Sequence, residues 1–290
     1  MSEAGTVRRA VIPAAGYGTR FLPATKAVPK ELMVIADRPA LQWIVEEALA
    51  AGVEDVIVVT SARKEALRQH FGPDRGLLER VKGSGKADAA RALERVEEIG
   101  RHVRFVRQEE QRGLGHAVLC AAEAVGREPF LVLLGDALVA SETPCSRQLA
   151  DTHRRTGGGV IGCRRVAREN VSRYGIVDGE PVDDRLMAVR DLVEKPETDR
   201  APSRTAIAGR YLLPPEIFDA LRSCPPGKAG EIQLTDAMRA LIGTVPMHAL
   251  VYEGRRYDLG NPVDYLEAAL AYAACDPRFE RLGLNRPRLR

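Results

Sequence analysis

Ala10-Val11-Ile12-Pro13-Ala14-Ala15-Gly16-Tyr17-Gly18-Thr19-Arg20 is an apolar run that breaks into two glycines and a cation, and Phe21-Leu22-Pro23-Ala24-Thr25-Lys26-Ala27-Val28-Pro29-Lys30-Glu31 follows it. The run reads as a buried strand, Val7 to Pro13, that opens into a stiffened basic loop. Glycine lets backbone amides approach an anion closely, proline fixes the path of the loop, and Arg20, Lys26 and Lys30 supply charge suited to a polyphosphate. Two glycines after a strand also make an ordinary turn. Three cations in one rigid loop, however, repel one another without an anion. Phe21 stands where GxGxxG has its third glycine, and no GxxxxGK[ST] is present, so neither the dinucleotide fingerprint nor the Walker A loop applies.

Outward from this loop, short apolar runs recur at Val56 to Thr60, Val103 to Val106 and Phe130 to Leu134, separated by stretches with helical spacing. That alternation predicts a parallel sheet in an α/β fold. Ala40 to Ala51 places Leu41, Ile44, Val45, Ala48 and Leu49 on one helical face, with Gly52 as its stop. After Asp136 the rhythm changes. Gly158 to Val166, Tyr174 to Val177, Leu186 to Val193 and Ala206 to Leu213 read as strands with fewer helices between them, a mixed and partly antiparallel extension. Helices are predicted around Pro215 to Arg222, Glu231 to Ile242 and Val263 to Ala274, with a strand near Met247 to Tyr252. Asp276 to Arg290, rich in arginine, reads as a solvated tail.

The 290 residues, 45% of them hydrophobic, suffice for one large domain or two closely packed lobes. Forty-three Lys and Arg against 40 Asp and Glu leave a net charge of +3, too balanced for a surface built to bind nucleic acid. Met1 to Arg9 lacks the apolar core of a signal peptide, and no run reaches the roughly 18 apolar residues of a membrane span, so a cytoplasmic protein without membrane contact is expected. Cys120, Cys145, Cys163, Cys224 and Cys275 are scattered and form no CxxC pair, which predicts reduced structural thiols rather than a disulfide framework or a zinc site.

Asp136 follows Phe130-Leu131-Val132-Leu133-Leu134-Gly135, at the carboxyl end of a central strand, where ligands of open α/β sheets gather. A carboxylate there can hold Mg²⁺ together with substrate phosphates, or simply cap a turn. Asp258, in Tyr257-Asp258-Leu259-Gly260-Asn261, is a second candidate with the same two readings, and sequence alone does not bring the two together. Gln108 ends the Val103 to Arg107 run before Gly113-Leu114-Gly115-His116. Its amide offers a donor and an acceptor to the imide edge of uracil or thymine, and glycine lets a flat base lie against the backbone. His116 reads as a structural or capping histidine. Glu194-Lys195-Pro196 terminates a strand and supplies either an exposed ion pair or a carboxylate for sugar hydroxyls and an ammonium for a sugar phosphate.

The segments AAGYGTRFLPATKAVPKE, RGLGHAVLCAA, VEKP, AIAGRY, GEIQLTDA and YDLGN together resemble the bacterial UTP:glucose-1-phosphate uridylyltransferases, within the wider sugar-1-phosphate nucleotidyltransferases, from about Val7 to Ala274. The resemblance implies a Rossmann-like nucleotidyltransferase core with a mixed central sheet and a partly antiparallel sugar-binding extension. It places one domain over residues 1–275, with a nucleotide part at about 7–140 and a sugar part at about 141–275, ahead of the tail at 276–290. Ala14, Ala15, Gly16, Glu31, Gln108 and Gly113 would contact uridine, with Gly18 and Thr19 in the same nucleotide-binding loop. Arg20 and Lys30 would hold the phosphates of UTP, and Asp136 and Asp258 would bind Mg²⁺. Gly175, Glu194 and Lys195 would surround glucose 1-phosphate, with Arg20, Lys30 and Lys195 the catalytic set. The implied products are UDP-glucose and pyrophosphate, and the implied assembly is a homodimer or homotetramer. Arg112 replaces a frequent lysine, PSRTAIAGRY replaces PSNLAIVGRY, and Phe71 to His102 is short for the family. A thymidylyltransferase acting on dTTP and a hexose 1-phosphate, or a weakly active UDP-sugar-binding regulatory paralogue, are the alternative readings.

Overall fold

The computed structural model describes residues 6–227 and 230–285; the part of the tail at 286–290, with Arg286, Arg288 and Arg290, lies outside them. In chain order, β1 (Arg9–Pro13) leads through three short 3-10 turns to β2 (Val34–Ile35), β3 (Arg38–Pro39), α1 (Ala40–Ala50), β4 (Asp55–Thr60), α2 (Glu65–Phe71), α3 (Arg75–Gly83), α4 (Ala87–Gly100), β5 (Val103–Arg107), α5 (Leu114–Cys120), α6 (Ala122–Val125) and β6 (Phe130–Leu133). Then come β7 (Ala137–Ala140), α7 (Cys145–Thr156), β8 (Gly159–Arg165), β9 (Gly175–Pro181), β10 (Leu186–Glu194), β11 (Thr205–Leu213), α8 (Ile217–Ser223), α9 (Leu234–Leu241), β12 (Met247–Val251), β13 (Arg255–Asp258) and α10 (Pro262–Ala273).

Nine of these strands form one mixed sheet in the order β5-β4-β1-β6-β11-β8-β12-β10-β9. The first four are parallel, β11 runs against β6 and β8, β12 returns parallel to β8, and β10 is antiparallel to both β12 and β9. The predicted mixed α/β sheet with its antiparallel extension is therefore the observed one. Strand periodicity sorts the core: Ala10 and Ile12 face α1, α7 and α10, whereas Val11, Ile57 and Val59 face α5, α8 and α9. Helices cover both faces, as an almost wholly apolar parallel strand requires.

Several details of the structure refine the sequence reading. β7 and β13 are four-residue strands that pair with each other outside the large sheet, too short to announce themselves by periodicity. Residues 65–100 fold into three helices. The helix expected from Glu231 begins only at Leu234, because Ile232 donates its N–H to the Arg112 carbonyl at 2.8 Å and accepts at its carbonyl from Gly115 N–H at 2.8 Å. That extended stretch straps the start of α5. The solvated tail starts with a 3-10 turn, Pro277–Leu282, and Arg278 in it pairs with Asp37 and Asp276. Among the described residues no helix is long and apolar enough to cross a membrane, and all five cysteines are free.

Candidate active site

The loop after β1 is pinned from behind. Lys64 donates to the Ala14 carbonyl at 2.7 Å, and Gln111 Nε2 to the Ala15 carbonyl at 2.7 Å. With these carbonyls turned inward, the N–H groups of Gly16, Tyr17, Gly18, Thr19 and Arg20 donate to no partner among the described residues, the arrangement an anion-binding nest needs. Gly18 has φ 68, a left-handed conformation that glycine adopts without steric cost, and its carbonyl accepts from Thr25 Oγ1 at 2.8 Å.

Glu31 is the buried anchor of this arrangement. Its side chain is wholly inaccessible, and Lys64 Nζ donates to both of its oxygens at 2.9 and 2.8 Å. Burial pushes the Glu31 carboxyl up and the Lys64 ammonium down, and each partner's charge opposes that push. A carboxylate so enclosed shapes the loop from behind it. Lys64 sits in an unremarkable stretch, Ser61-Ala62-Arg63-Lys64, and no sequence signal marks it.

The β7–β13 ladder does what sequence alone could not. Asp258 pairs with Ala137, and Leu259 N–H donates to the Asp136 carbonyl at 2.7 Å, so the two candidate metal ligands stand side by side at the carboxyl end of β6. Lys30 Nζ is 2.8 Å from Asp136 Oδ2, and Asp258 Oδ1 accepts from Gly260 N–H at 2.9 Å. Burial alone would raise Asp136; Lys30 first, then Arg256 and Arg20, outweigh it and hold the carboxyl below its usual range. Arg256, absent from the sequence reading, donates to the Ala208 carbonyl at 3.2 Å and lies 3.8 Å from Asp258. A Cβ on Gly260 would come within 2.6 Å of Arg20 Nη2, so this glycine makes room for the loop's guanidinium. Lys26 is exposed and pairs with nothing among the described residues. Among those residues no group of three or more His, Cys, Asp or Glu is placed to hold a metal.

Two further clusters flank this centre. Gln108, only 4% exposed, receives its position from its own N–H bond to Thr60 and donates through Nε2 to the Gly113 carbonyl at 3.2 Å. Gly113 has φ 94, and a Cβ there would lie 2.8 Å from Glu231 Cβ. On the other side, β9 and β10 pair Glu194 directly with Gly175, and a Cβ on Gly175 would meet Glu194 Oε2 at 3.1 Å. Thr235 Oγ1 donates to Glu194 at 2.9 Å. Lys195 lies 3.4 Å from Glu194 and holds φ 46, a left-handed conformation unusual for a residue with a side chain, secured by its N–H bond to the Tyr174 carbonyl. Tyr211 on β11 connects the two halves: burial raises its phenol, and the charges of Glu194 and Asp136 both add to that rise.

Residues 9–274 match the nucleotidyl transferase family. Over 275 residues the chain is 44% identical to a UTP--glucose-1-phosphate uridylyltransferase of Staphylococcus epidermidis, covering 95% of each chain. Its fold is similar to that of a UTP-bound UGPase from Acinetobacter baumannii, with TM-score 0.88, 36% identity and coverage of 95% of this chain and 98% of the other. It is also similar to a UDP-glucose pyrophosphorylase complexed with UDP-glucose, with TM-score 0.84, 37% identity and coverage of 93% and 100%.

Proposed function

The chain belongs to the nucleotidyl transferase family, and we propose that it transfers a uridylyl group from UTP to glucose 1-phosphate, releasing pyrophosphate and UDP-glucose in the cytoplasm. The observation that carries this reading is the ladder-built pair Asp136 and Asp258, with Lys30 on one carboxylate and Arg20 against Gly260 beside the other. An anion nest, two hard oxygen donors and two cations at one sheet edge suit a nucleoside triphosphate. The 44% identity to a uridylyltransferase, and the likeness to structures holding UTP and UDP-glucose, support UTP as donor and UDP-glucose as product.

The donor set fits Mg²⁺, which prefers oxygen ligands and takes one or two carboxylates while keeping water and phosphate in its remaining positions. Asp136 and Asp258 would hold it, and bound there it would neutralise charge on the triphosphate. The remaining work falls to the chain's own backbone and side chains. Ala15, Gly16, Gly18 and Thr19 receive the nucleotide on backbone amides, with Ala14, Glu31 and Lys64 fixing the loop. Gln108 and Gly113 receive the base. Arg20 and Lys30 hold the phosphates, Gly175 and Glu194 the sugar, and Lys195 the attacking phosphate. An oxygen of glucose 1-phosphate forms a bond to the α-phosphorus as the bond from that phosphorus to the bridging oxygen breaks. That oxygen is already anionic near neutral pH, so positioning and charge neutralisation replace a general base. The protein is expected to self-associate as a homodimer or homotetramer.

Pyrophosphate release is the test, measured for UTP and dTTP, each with glucose, galactose and N-acetylglucosamine 1-phosphates, across an Mg²⁺ titration. UTP with glucose 1-phosphate should be the fastest pair, and Arg20→Ala or Lys195→Ala should lower its turnover by about 10²-fold or more. A preference for dTTP would move the protein to thymidylyl transfer, and inactivity with every pair would make it a binding subunit.

A further inference from the structure

The Gln108 amide is held in one orientation, and the group that completes its lock is His116. Nε2 of Gln108 lies 3.2 Å from the Gly113 carbonyl and 3.0 Å from His116 Nδ1. A carbonyl oxygen can only accept, so the amide group facing it must be the NH₂ end. Both of its hydrogens are then committed, one to Gly113 and one to His116. Nδ1 must therefore carry a lone pair and Nε2 the proton, and Nε2 lies 3.9 Å from Cys120 Sγ, a weak acceptor. Oε1 of Gln108 accepts nothing from the described residues, although the residue is only 4% exposed. A buried glutamine with its donors spent and its acceptor free is set to receive a donor from a ligand. The expectation that this amide would offer both a donor and an acceptor to the base is thus narrowed to the acceptor.

We propose that His116 is a positioning residue for nucleotide selectivity: by locking the Gln108 amide with its oxygen toward the base, it favours uracil, which brings an N3–H donor, over cytosine, which brings a lone pair at the same position. The inference rests on the reading of Gln108 as the base contact. To accept cytosine the amide would have to turn its NH₂ end outward, setting its oxygen against the Gly113 carbonyl and the His116 lone pair. Uracil and thymine carry the same N3–H, so the device separates UTP from CTP and is indifferent to dTTP. His116 stands at the third position of α5, whose start is strapped by Ile232, and this holds the imidazole in place.

The experiment measures kcat/KM for UTP and for CTP in the full chain and in His116→Phe, His116→Ala and His116→Asn. The wild type should prefer UTP. His116→Phe and His116→Ala should narrow the UTP-to-CTP ratio by about tenfold, the worth of one buried hydrogen bond, with the loss on UTP carried mainly by KM. His116→Asn, whose Oδ1 can accept where Nδ1 does, should restore most of the ratio. Equal losses on both nucleotides, an unchanged ratio, or an Asn variant no better than Phe would each overturn the inference and leave the uridylyl reading intact. A wild type indifferent between UTP and CTP would overturn the base-site reading itself. Nitrogen-15 NMR of the labelled wild-type protein, assigned by difference from His116→Asn, adds a readout independent of activity: His116 should carry its proton on Nε2, and a proton on Nδ1 would overturn the lock.

Discussion

Lys64 and Asp136 show at the scale of single residues how charge is handled beneath the site. Glu31 has no solvent to turn to, so removing Lys64 strands a carboxylate in the core rather than merely deleting an ion pair. Lys64→Met should therefore destabilise the fold by about 3–5 kcal/mol in urea unfolding, far above the effect of a surface pair. A loss below about 1 kcal/mol would show that Glu31 is held by other means. Asp136 makes the complementary prediction through pH. Its folded value is lowered, so acidification protonates the unfolded carboxylate first. Its stabilising contribution is complete above the ordinary carboxylate value of about 4 and is lost as pH falls through the lowered folded value. Asp136→Asn should flatten the fall in unfolding free energy between about pH 5 and about pH 3 relative to the wild type. Parallel curves would mean that the group titrates alike in both states.

At the scale of elements, the parallel strands and the loop after β1 were legible because an apolar run buried on both faces and a glycine-proline-lysine loop each have one ready physical reading. Gln108, Glu194 and Lys195 could be placed at strand ends for the same reason. What could not be read was the juxtaposition of Asp136 and Asp258. It depends on two four-residue strands far apart in the chain, with Ala137 opposite Asp258 and Val139 opposite Arg256, and nothing in either segment names the other. Lys64, Gln111 and Arg256 were invisible for a related reason, since each acts on a backbone carbonyl or a carboxylate brought close only by the fold. Arg210 is the hidden support of the ladder. Fully buried on β11, it donates to Glu47 of α1 through Nε and Nη2, to the Gly209 carbonyl, and at 2.7 Å to the carbonyl of Ala137, the residue after Asp136. Ser146 Oγ, at the start of α7, donates to the same Glu47 at 2.6 Å. Arg210→Met should cost about 3–5 kcal/mol by leaving Glu47 unpaired, while Arg210→Met with Glu47→Leu should recover much of that stability. Both variants lose the donor to Ala137, so both should need more Mg²⁺ for half-maximal activity. A double variant with wild-type Mg²⁺ dependence would confine Arg210 to a purely structural part.

At the scale of the whole molecule, α10 carries a face without a partner among the described residues, and that face adjoins the loop after β1. α10 buries Ala268 and Ala271 against the core, yet Val263, Leu266 and Leu270, at helical spacing, are 65%, 59% and 45% exposed. Val34 is 53% exposed, and Tyr265 of α10 donates its hydroxyl to the Val34 carbonyl at 2.7 Å. The same tyrosine packs edge-on against Phe21 at 5.5 Å, so α10 braces the loop that carries Arg20. A row of large apolar side chains in water is unfavourable by about 25 cal/mol per Å² of exposed surface, and a second copy of the chain can remove it from water without altering the core. Leu266→Glu with Leu270→Glu places two like charges at the centre of that row while leaving the buried alanines untouched. If the wild type self-associates through this face, the doubly substituted protein should elute as a monomer under light-scattering detection where the wild type elutes at a multiple of the chain mass, with its thermal unfolding midpoint little changed at low protein concentration. An unchanged assembled mass would place the interface on another face of the molecule.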